Sequence, residues 1–292
     1  MPITRAALIA RPSLPAALET LTEAAAWLEA HGCTPIVEWA SAEAAGLVGR
    51  WPTTARETLA DGTDVVIAFG GDGTLLDAAR AVMHSSGDAP LIGINLGRLG
   101  FLTEVGRSEM LGALGALIAG EGRIETRLML EGDITRAGAT FATSLALNDI
   151  VVTRGALSRM IEIDVQVDGQ FVCHVKADGL IVSTATGSTA YNLSAGGPIV
   201  HPSLDALVLT PIAPHTLTHR PLVLPASARI DVRPIVEPQS DIIATFDGQY
   251  GVALQANDVV GIERAPRLLR LLHTSPRTHF DMLREKLKWG NS

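Results

Sequence analysis

Three glycines surround an aspartate in the stretch AFGGDGTLLDAA, residues 68–79. Glycines let a phosphate group approach backbone N–H groups closely, so this stretch is typical of a loop that binds phosphates. The carboxylate of Asp72 repels a phosphate and needs another role. It either caps the following helix, holds a metal ion, or accepts a proton from an attacking hydroxyl. The predicted phosphate loop consists of Gly70, Gly71, Gly73 and Thr74.

The spacing of these residues matches neither of two common nucleotide-binding motifs. A Rossmann fingerprint, G-x-G-x-x-G, requires a glycine where this chain has Leu76. A Walker A loop requires a lysine before Ser or Thr, whereas Gly73 precedes Thr74. The GGDG loop therefore indicates phosphate chemistry of a different kind, or a tight turn between a strand and a helix.

Two further stretches concentrate polar groups between apolar segments. TATGSTAYNLSAGG, residues 184–197, follows a strand-like run and is rich in hydroxyls and small residues, which lets a ligand approach closely. It is either a ligand-binding loop or an ordered surface loop, and Asp178 lies just before its strand. Asn148 and Asp149 interrupt the apolar segment SLALNDIVVTRG, either as a turn or as a pair that holds ribose hydroxyls and a base edge.

The elements that position these residues change character along the chain. Up to about residue 121, strand-like runs such as TDVVIAFG and PLIGIN alternate with helical patterns, which predicts a parallel sheet covered by helices. Ligands of such sheets lie beyond the carboxyl ends of the strands, and the GGDG loop is at one of these ends. After residue 121 strand patterns dominate, with Asp-Gly hairpin signals at 168–169 and 247–248.

We therefore predict an α/β domain with a Rossmann-like parallel sheet over residues 1–121 and an all-β domain over 122–270. The segment 271–292 ends in an amphipathic helix that is expected to pack back on the first domain. Phe280, Leu283 and Leu287 share the apolar face of that helix.

Composition excludes several classes of protein. The net charge is −8 and no basic stripe is present, so a nucleic-acid partner is not expected. No apolar stretch approaches the ~18 residues that a membrane helix requires, so no membrane partner is expected either. The two cysteines lie far apart and outside any metal-ligand spacing, which favours reduced thiols in a cytoplasmic protein.

Four stretches together resemble the NAD kinase family. GGDGTLL at 70–76 is shared with phosphofructokinases and diacylglycerol-type lipid kinases, whereas NLGRLGFLTE at 95–104, LND at 147–149 and DGLIVSTATGSTAYNLSAGGPIVHP at 178–202 are more specific. The resemblance extends over nearly the whole chain. The family usually has Pro where this chain has Ala185, and often Glu where it has Asp149.

The resemblance implies a role for each matching position. Asp72 matches the proton acceptor, Gly73 lies against the dinucleotide and Phe101 near the adenine. Asn148 and Asp149 match the pair that holds the NAD ribose, and Asp178 matches a residue that reaches the nicotinamide end, often in a neighbouring subunit's site. The adenine and ribose loop matches Thr189, Ala190, Tyr191, Asn192, Leu193 and Ser194. Further contacts match Arg159, Lys176, Ala213 and Gln249.

The implied reaction is transfer of the γ-phosphoryl group of ATP to the 2′-hydroxyl of the adenosine ribose of NAD, at a site between the two domains. Mg²⁺ is expected with ATP, without a direct protein ligand, and the assembly is expected to be a homodimer or homotetramer. Three alternative functions differ in what they require. A lipid kinase of the same superfamily would need an apolar acceptor groove, and a dehydrogenase that uses NAD would need the Rossmann fingerprint. A non-catalytic nucleotide sensor would not need Asp72.

Overall fold

The structure is a computed structural model that describes residues 3–97, 99–155, 160–216, 218–235 and 241–289. It divides into two compact units, the first formed by Met1–Thr126 with Leu269–Ser292 and the second by Arg127–Leu268. These limits differ from the predicted boundaries after residues 121 and 270. The reason is that strands 123–127 and 269–273 both belong to the sheet of the first unit.

The first unit contains an eight-stranded sheet in the order β3-β2-β1-β4-β5-β20-β7, with β6 paired to β5. Its strands are β1 Arg5–Ala10, β2 Thr34–Glu38, β3 Thr53–Thr54, β4 Val65–Phe69, β5 Leu91–Asn95, β6 Val105–Gly106, β7 Arg123–Arg127 and β20 Leu269–His273. The pairs β1–β2, β1–β4, β4–β5 and β20–β5 are parallel. The predicted α/β class of this part of the chain is confirmed.

The helices of this unit are α1 Pro15–Ala30, α2 Trp39–Ala44, α3 Asp72–His84, α4 Met110–Ala119 and α6 His279–Leu287. Gly120 ends α4 in the left-handed conformation, at φ 75°. The expectation that Phe280 packs on the first unit as part of the apolar face of α6 is wrong. Phe280 is 58% exposed, while Met282 and Leu283 are buried.

The second unit is built from antiparallel strands, as predicted. One six-stranded sheet has the order β15-β14-β13-β10-β17-β18 and the other the order β12-β11-β16-β19-β8-β9. Their bounds are β8 Leu130–Arg136, β9 Ala139–Ala146, β10 Asp149–Arg154, β11 Ile161–Val167, β12 Gln170–Ala177, β13 Gly179–Thr184, β14 Ala206–Ile212, β15 Leu222–Pro225, β16 Ile230–Ile235, β17 Ile242–Phe246, β18 Tyr250–Leu254 and β19 Val259–Arg264.

The two sheets of the second unit share one apolar core, which includes Ile150 and Phe246 from one sheet and Ile163 and Ile262 from the other. Both predicted Asp-Gly hairpins are confirmed: β11 pairs with β12 and β17 with β18. Between β13 and β14 the chain forms a 3₁₀ turn, Thr186–Thr189, and the short helix α5 Tyr191–Ser194.

The described part of the chain contains no helix that is both long enough and apolar enough to span a membrane. Both cysteines are free, and Cys33 is buried in the core of the first unit.

Candidate active site

The GGDG loop joins the buried strand β4 to the N-terminus of α3. Gly70 fits only without a side chain, because a Cβ there would lie 2.2 Å from Oγ1 of Thr74. Gly71 is the N-cap residue and no side chain caps the helix, while Gly71 and Gly73 are exposed to solvent. The positive end of the helix dipole thus faces solvent at the glycines, a favourable place for a phosphate.

The Asp72 side chain turns away from its own helix toward the loop that follows β5. Its Oδ2 accepts a hydrogen bond from the Phe101 N–H at 2.7 Å. Its Oδ1 accepts from the N–H groups of Leu102 at 3.2 Å and Thr103 at 3.0 Å, and from the Thr103 hydroxyl at 2.8 Å. The helix-cap interpretation of Asp72 is therefore wrong, since Gly71 is the N-cap and the carboxylate binds residues 101–103.

Glycine at position 100 makes this arrangement possible. A Cβ on Gly100 would lie 1.8 Å from Oδ1 of Asp72 and 2.5 Å from Oγ1 of Thr103. Thr103 is held in turn by Asn95, whose Nδ2 donates to the Thr103 hydroxyl at 2.7 Å. Asn95 is buried at the end of β5 and its Oδ1 accepts from the Gly97 N–H at 2.8 Å. The carboxylate is thus fixed by a network from the neighbouring strand.

The two carboxylate oxygens of Asp72 differ in what they can still bind. Each oxygen of an ionised carboxylate has two lone pairs directed at donors. Oδ1 has three donors from Leu102 and Thr103, whereas Oδ2 has only the Phe101 N–H among the described contacts. Oδ2 can therefore accept a further hydrogen bond from a substrate hydroxyl, and with it the proton.

A cavity of about 360 Å³ lies within the second unit and is bordered by the LND stretch and the TGSTAY loop. Its lining consists of Asn148, Asp149, Val151, Thr153, Ala190, Tyr191, Thr245, Asp247 and Gly248. Four residues that match NAD contacts of the resembling family therefore share one cavity: Asn148, Asp149, Ala190 and Tyr191.

Asp149 is buried, with 4% of its surface exposed, yet no described residue bonds to its carboxylate. Burial, and then the negative charge of Asp247, raise the pKa of Asp149 from 3.8 to about 7. The Asn148 side-chain amide likewise has no partner among the described residues. A carboxylate and an amide thus face the cavity with their hydrogen-bonding capacity unused, which suits the hydroxyls of a sugar.

Asp247 holds the backbone of this pair in place. Its Oδ1 accepts from the Asn148 N–H at 2.7 Å and the Asp149 N–H at 3.3 Å, and its Oδ2 accepts from the Leu147 N–H at 3.0 Å. Asp247 adopts the left-handed conformation, with φ 51°, at the β17–β18 turn. The sequence pattern around Asp247 predicts only a hairpin, because a turn aspartate and a ligand-positioning aspartate have the same local signature.

The TGSTAY loop divides into residues that build it and residues that face outward. Asn192 is fully buried, and its Nδ2 donates to the carbonyls of Ser188 at 3.0 Å and Pro198 at 3.1 Å. Its Oδ1 accepts from the Thr210 hydroxyl at 2.7 Å. Tyr191 and Ser194 are exposed, and Thr189, Ala190 and Leu193 are half-buried. Asn192 thus shapes the loop from inside.

The remaining predicted contacts lie elsewhere in the second unit. Lys176 is exposed, and its Nζ lies 2.9 Å from Oε1 of Glu162 on the neighbouring strand. The Asp178 carboxylate pairs with the Arg154 guanidinium at 2.7 Å. Ala213 has a positive φ of 46°, and the Gln249 N–H donates to the Phe246 carbonyl at 2.9 Å. Arg159 lies outside the described residues.

Two family models match this chain. The ATP-NAD kinase N-terminal domain matches residues 6–122, which include the GGDG loop, and the ATP-NAD kinase C-terminal domain matches residues 147–274, which include the cavity. The chain belongs to the NAD kinase family. The NAD kinase of Aromatoleum aromaticum is 41% identical over 97% of this chain and 93% of its own length. The NAD kinase of Geobacter metallireducens is 44% identical over 90% of this chain and 91% of its own.

Solved structures show the same fold as this NAD kinase family member. The crystal structure of yeast NADH kinase complexed with NADH has a TM-score of 0.87 at 24% identity, covering 100% of this chain and 89% of that one. The crystal structure of an NAD kinase from Archaeoglobus fulgidus in complex with ATP has a TM-score of 0.71 at 26% identity, covering 97% and 98%.

The raised pKa of Asp149 predicts that the folding stability of this NAD kinase family member depends on pH. Since the folded-state pKa is raised, the unfolded chain ionises first, and stability is lost as pH rises from about 4 to about 7. The difference between a pKa of 3.8 and one of about 7 corresponds to a loss of at most about 4 kcal/mol of folding free energy. Asp149→Asn removes this loss, so its melting temperature should rise relative to wild type between pH 4 and pH 8.

The matched control for Asp149→Asn is Asp205→Asn, which changes an exposed carboxylate of the same unit. The difference in melting temperature from wild type should depend on pH more strongly for Asp149→Asn than for this control. An equal dependence on pH for both variants would show that Asp149 is ionised at no extra cost in the folded protein.

Proposed function

We propose that this chain transfers the γ-phosphoryl group of ATP to the 2′-hydroxyl of the adenosine ribose of NAD, giving NADP, with Asp72 as the proton acceptor. The observation that carries the assignment of Asp72 is its geometry. The Asp72 carboxylate lies next to the helix terminus that is proposed to bind phosphate. Three N–H groups and one hydroxyl of the described residues orient it, and Oδ2 can accept one more hydrogen bond.

The roles of the glycines and of Asp72 follow from the needs of phosphoryl transfer. The reaction depends on holding the phosphates in line with the attacking oxygen and on balancing their charge. We assign phosphate binding to Gly70, Gly71, Gly73 and Thr74, with Gly73 also against the dinucleotide. Asp72 orients the ribose hydroxyl and accepts its proton as the oxygen–phosphorus bond forms.

The cavity of the second unit is proposed to hold a ribose of NAD. Asn148 can donate and accept, while Asp149 can accept from hydroxyls or, when protonated, donate to them. Ala190 and Tyr191 border the same cavity and are proposed to contact the nucleoside. Phe101, Thr189, Leu193, Ser194, Ala213 and Gln249 keep their proposed roles as dinucleotide contacts.

Magnesium enters this proposal as part of the substrate Mg-ATP. No group of three or more acidic, histidine or cysteine side chains within the described ranges could hold a metal ion. The phosphate oxygens of ATP would then bind Mg²⁺ in place of protein side chains. The ion would offset the negative charge of the transferred phosphoryl group.

The direct test of the function is to incubate the protein with NAD and Mg-ATP and to measure NADP. We expect NADP to form with saturation in both substrates, and removal of the metal by a chelator to stop the reaction. A lipid kinase would phosphorylate diacylglycerol and leave NAD unchanged, while a nucleotide sensor would bind NAD without forming NADP. Either result would refute the proposal.

Assembly and location form the remaining part of the proposal. We propose a homodimer or homotetramer, because the edge strand β12 exposes Phe171 and Val172, and an exposed apolar edge favours pairing with another chain. Asp178 is proposed to serve a neighbouring subunit's site. A cytoplasmic location fits the two free cysteines. Light scattering that finds a fully active monomer would rule out the assembly.

A further inference from the structure

A histidine of the last strand of the first unit lies between two carboxylates. His273 on β20 has 11% of its side chain exposed, and its Nδ1 lies 2.9 Å from Oε1 of Glu104. Its Nε2 lies 3.6 Å from Oε2 of Glu125. Glu104 itself is buried, with 7% exposed. These contacts are close in distance, but among the described residues Oε1 of Glu104 and both ring nitrogens of His273 form no hydrogen bond. His273 therefore limits the space available to the Glu104 side chain by packing beside it.

A second residue of the C-terminal segment holds the same stretch of backbone. The Arg277 guanidinium donates to the Glu104 carbonyl at 2.7 Å through Nη1. It also pairs with Glu109, at 3.2 Å from Nη2 to Oε1. Glu109 accepts in turn from the Gly106 N–H at 2.9 Å. Residues 104–109 are therefore fixed from outside by the segment that returns to the first unit.

Glu104 is adjacent in sequence to the three residues that orient Asp72. Among the described residues, the N–H groups of residues 101–103 and the Thr103 hydroxyl donate the four hydrogen bonds to the Asp72 carboxylate. This loop is fixed at its start by Asn95 and at its end by Glu104. If the Glu104 end of this loop is released, the N–H groups of residues 101–103 are no longer held in the directions that bind the Asp72 carboxylate.

We propose that Glu104, whose carbonyl is bound by Arg277 and whose side chain packs beside His273, is a positioning residue for Asp72, so that the C-terminal segment controls the phosphoryl-transfer step through the 101–103 loop. The inference rests on the proposed role of Asp72. Neither His273 nor Arg277 touches the Asp72 carboxylate in the described contacts. Their expected influence is on the rate of the chemical step and not on the binding of NAD.

The test measures kcat, the dissociation constant of NAD and the melting temperature for Glu104→Gln and Arg277→Ala, each with and without Asp72→Asn. In the protein that retains Asp72 we expect each variant to lower kcat roughly 10-fold, because small displacements of a catalytic group slow the chemical step. The NAD dissociation constant should change less than about 2-fold. With Asp72→Asn present, neither variant should lower kcat further, since the group that it positions is already lost.

Two controls separate positioning from general destabilisation. Arg270→Gln breaks another ion pair of β20, with Asp88 at 3.0 Å, and should leave kcat unchanged. Arg277→Lys keeps a cationic donor and should recover much of the kcat that Arg277→Ala loses. If Glu104→Gln does not fold, the Arg277 pair gives the answer alone, since Arg277 is one-third exposed.

Each outcome bears on the inference. An equal loss of kcat in both backgrounds would show that Glu104 and Arg277 are structural only and would overturn it, as would an unchanged kcat for both. A fully active Asp72→Asn variant would instead overturn the proposed role of Asp72, and is distinguished by the single variant alone.

Discussion

The Asp72→Asn variant is expected to bind NAD while losing about 10²–10⁴ in kcat, the usual cost of removing a general base. That loss corresponds to roughly 3–5 kcal/mol of activation barrier. NAD affinity should change much less, because Asn148 and Asp149 are unaltered. The measurement is kcat together with the dissociation constant of NAD and the melting temperature.

A loss of stability should accompany Asp72→Asn. Four donors point at the two carboxylate oxygens. An amide places an NH₂ group against at least one of these donors, which leaves a backbone N–H without an acceptor and costs about 1–3 kcal/mol.

Thr103→Val is the control for Asp72→Asn, since it removes one donor to Oδ1 but keeps the carboxylate. It should lower stability by a comparable amount and kcat by less than about 10-fold. If Thr103→Val and Asp72→Asn lower kcat equally, the loop and not the proton acceptor limits the reaction. Activity of Asp72→Asn within a few-fold of wild type would show that the carboxylate is structural.

Gly100→Ala is expected to lower kcat by about 100-fold or more, although residue 100 carries no functional group. The added Cβ would overlap the Asp72 Oδ1, at 1.8 Å, so the carboxylate or the loop must move by more than an ångström. Displacements of about 1 Å typically cost about 10² in rate. Measurement of kcat and of the NAD dissociation constant should show that the loss lies in kcat.

The matched control is Gly97→Ala in the same loop. Among the described residues beyond its chain neighbours, the nearest atom to a Cβ there is the Asn95 Oδ1 at 3.9 Å, an ordinary contact. This variant should keep kcat within about 3-fold of wild type, as expected for a substitution that displaces nothing. Similar losses for both glycines would mean that the loop needs backbone freedom in general, and would contradict a specific contact between Gly100 and Asp72.

Sequence patterns that span only a few residues were sufficient to predict strands and several turns. Runs such as TDVVIAFG and PLIGIN became β4 and β5, and the Asp-Gly pairs at 168 and 247 became hairpins. These features depend on hydrophobic periodicity and on the ease with which Asp and Gly adopt positive φ, both of which are local properties. The helix face of α6 was predicted wrongly at Phe280, because burial depends on the surface against which a helix packs.

The candidate site was only partly predictable from the sequence. The stretches GGDG, LND and TGSTAY were recognised as places where a ligand could bind, but the partners of their polar groups were not. Asp72 bonds residues 29–31 positions away, and Asp247 bonds residues 98–100 positions away. No local pattern encodes these distances, since they arise from neighbouring strands and from a turn between β17 and β18.

Local sequence patterns predict the helices and strands, the glycine loop with its carboxylate and the resemblance to the NAD kinase family. Only the folded chain shows that Asp72 is oriented by residues 101–103 and does not cap its helix. It also shows that Asn192 is a buried support while Asn148 and Asp149 face a cavity. The physical reason is that a polar side chain acts according to which of its hydrogen-bonding groups the fold leaves unused, and folding brings those partners from distant parts of the chain.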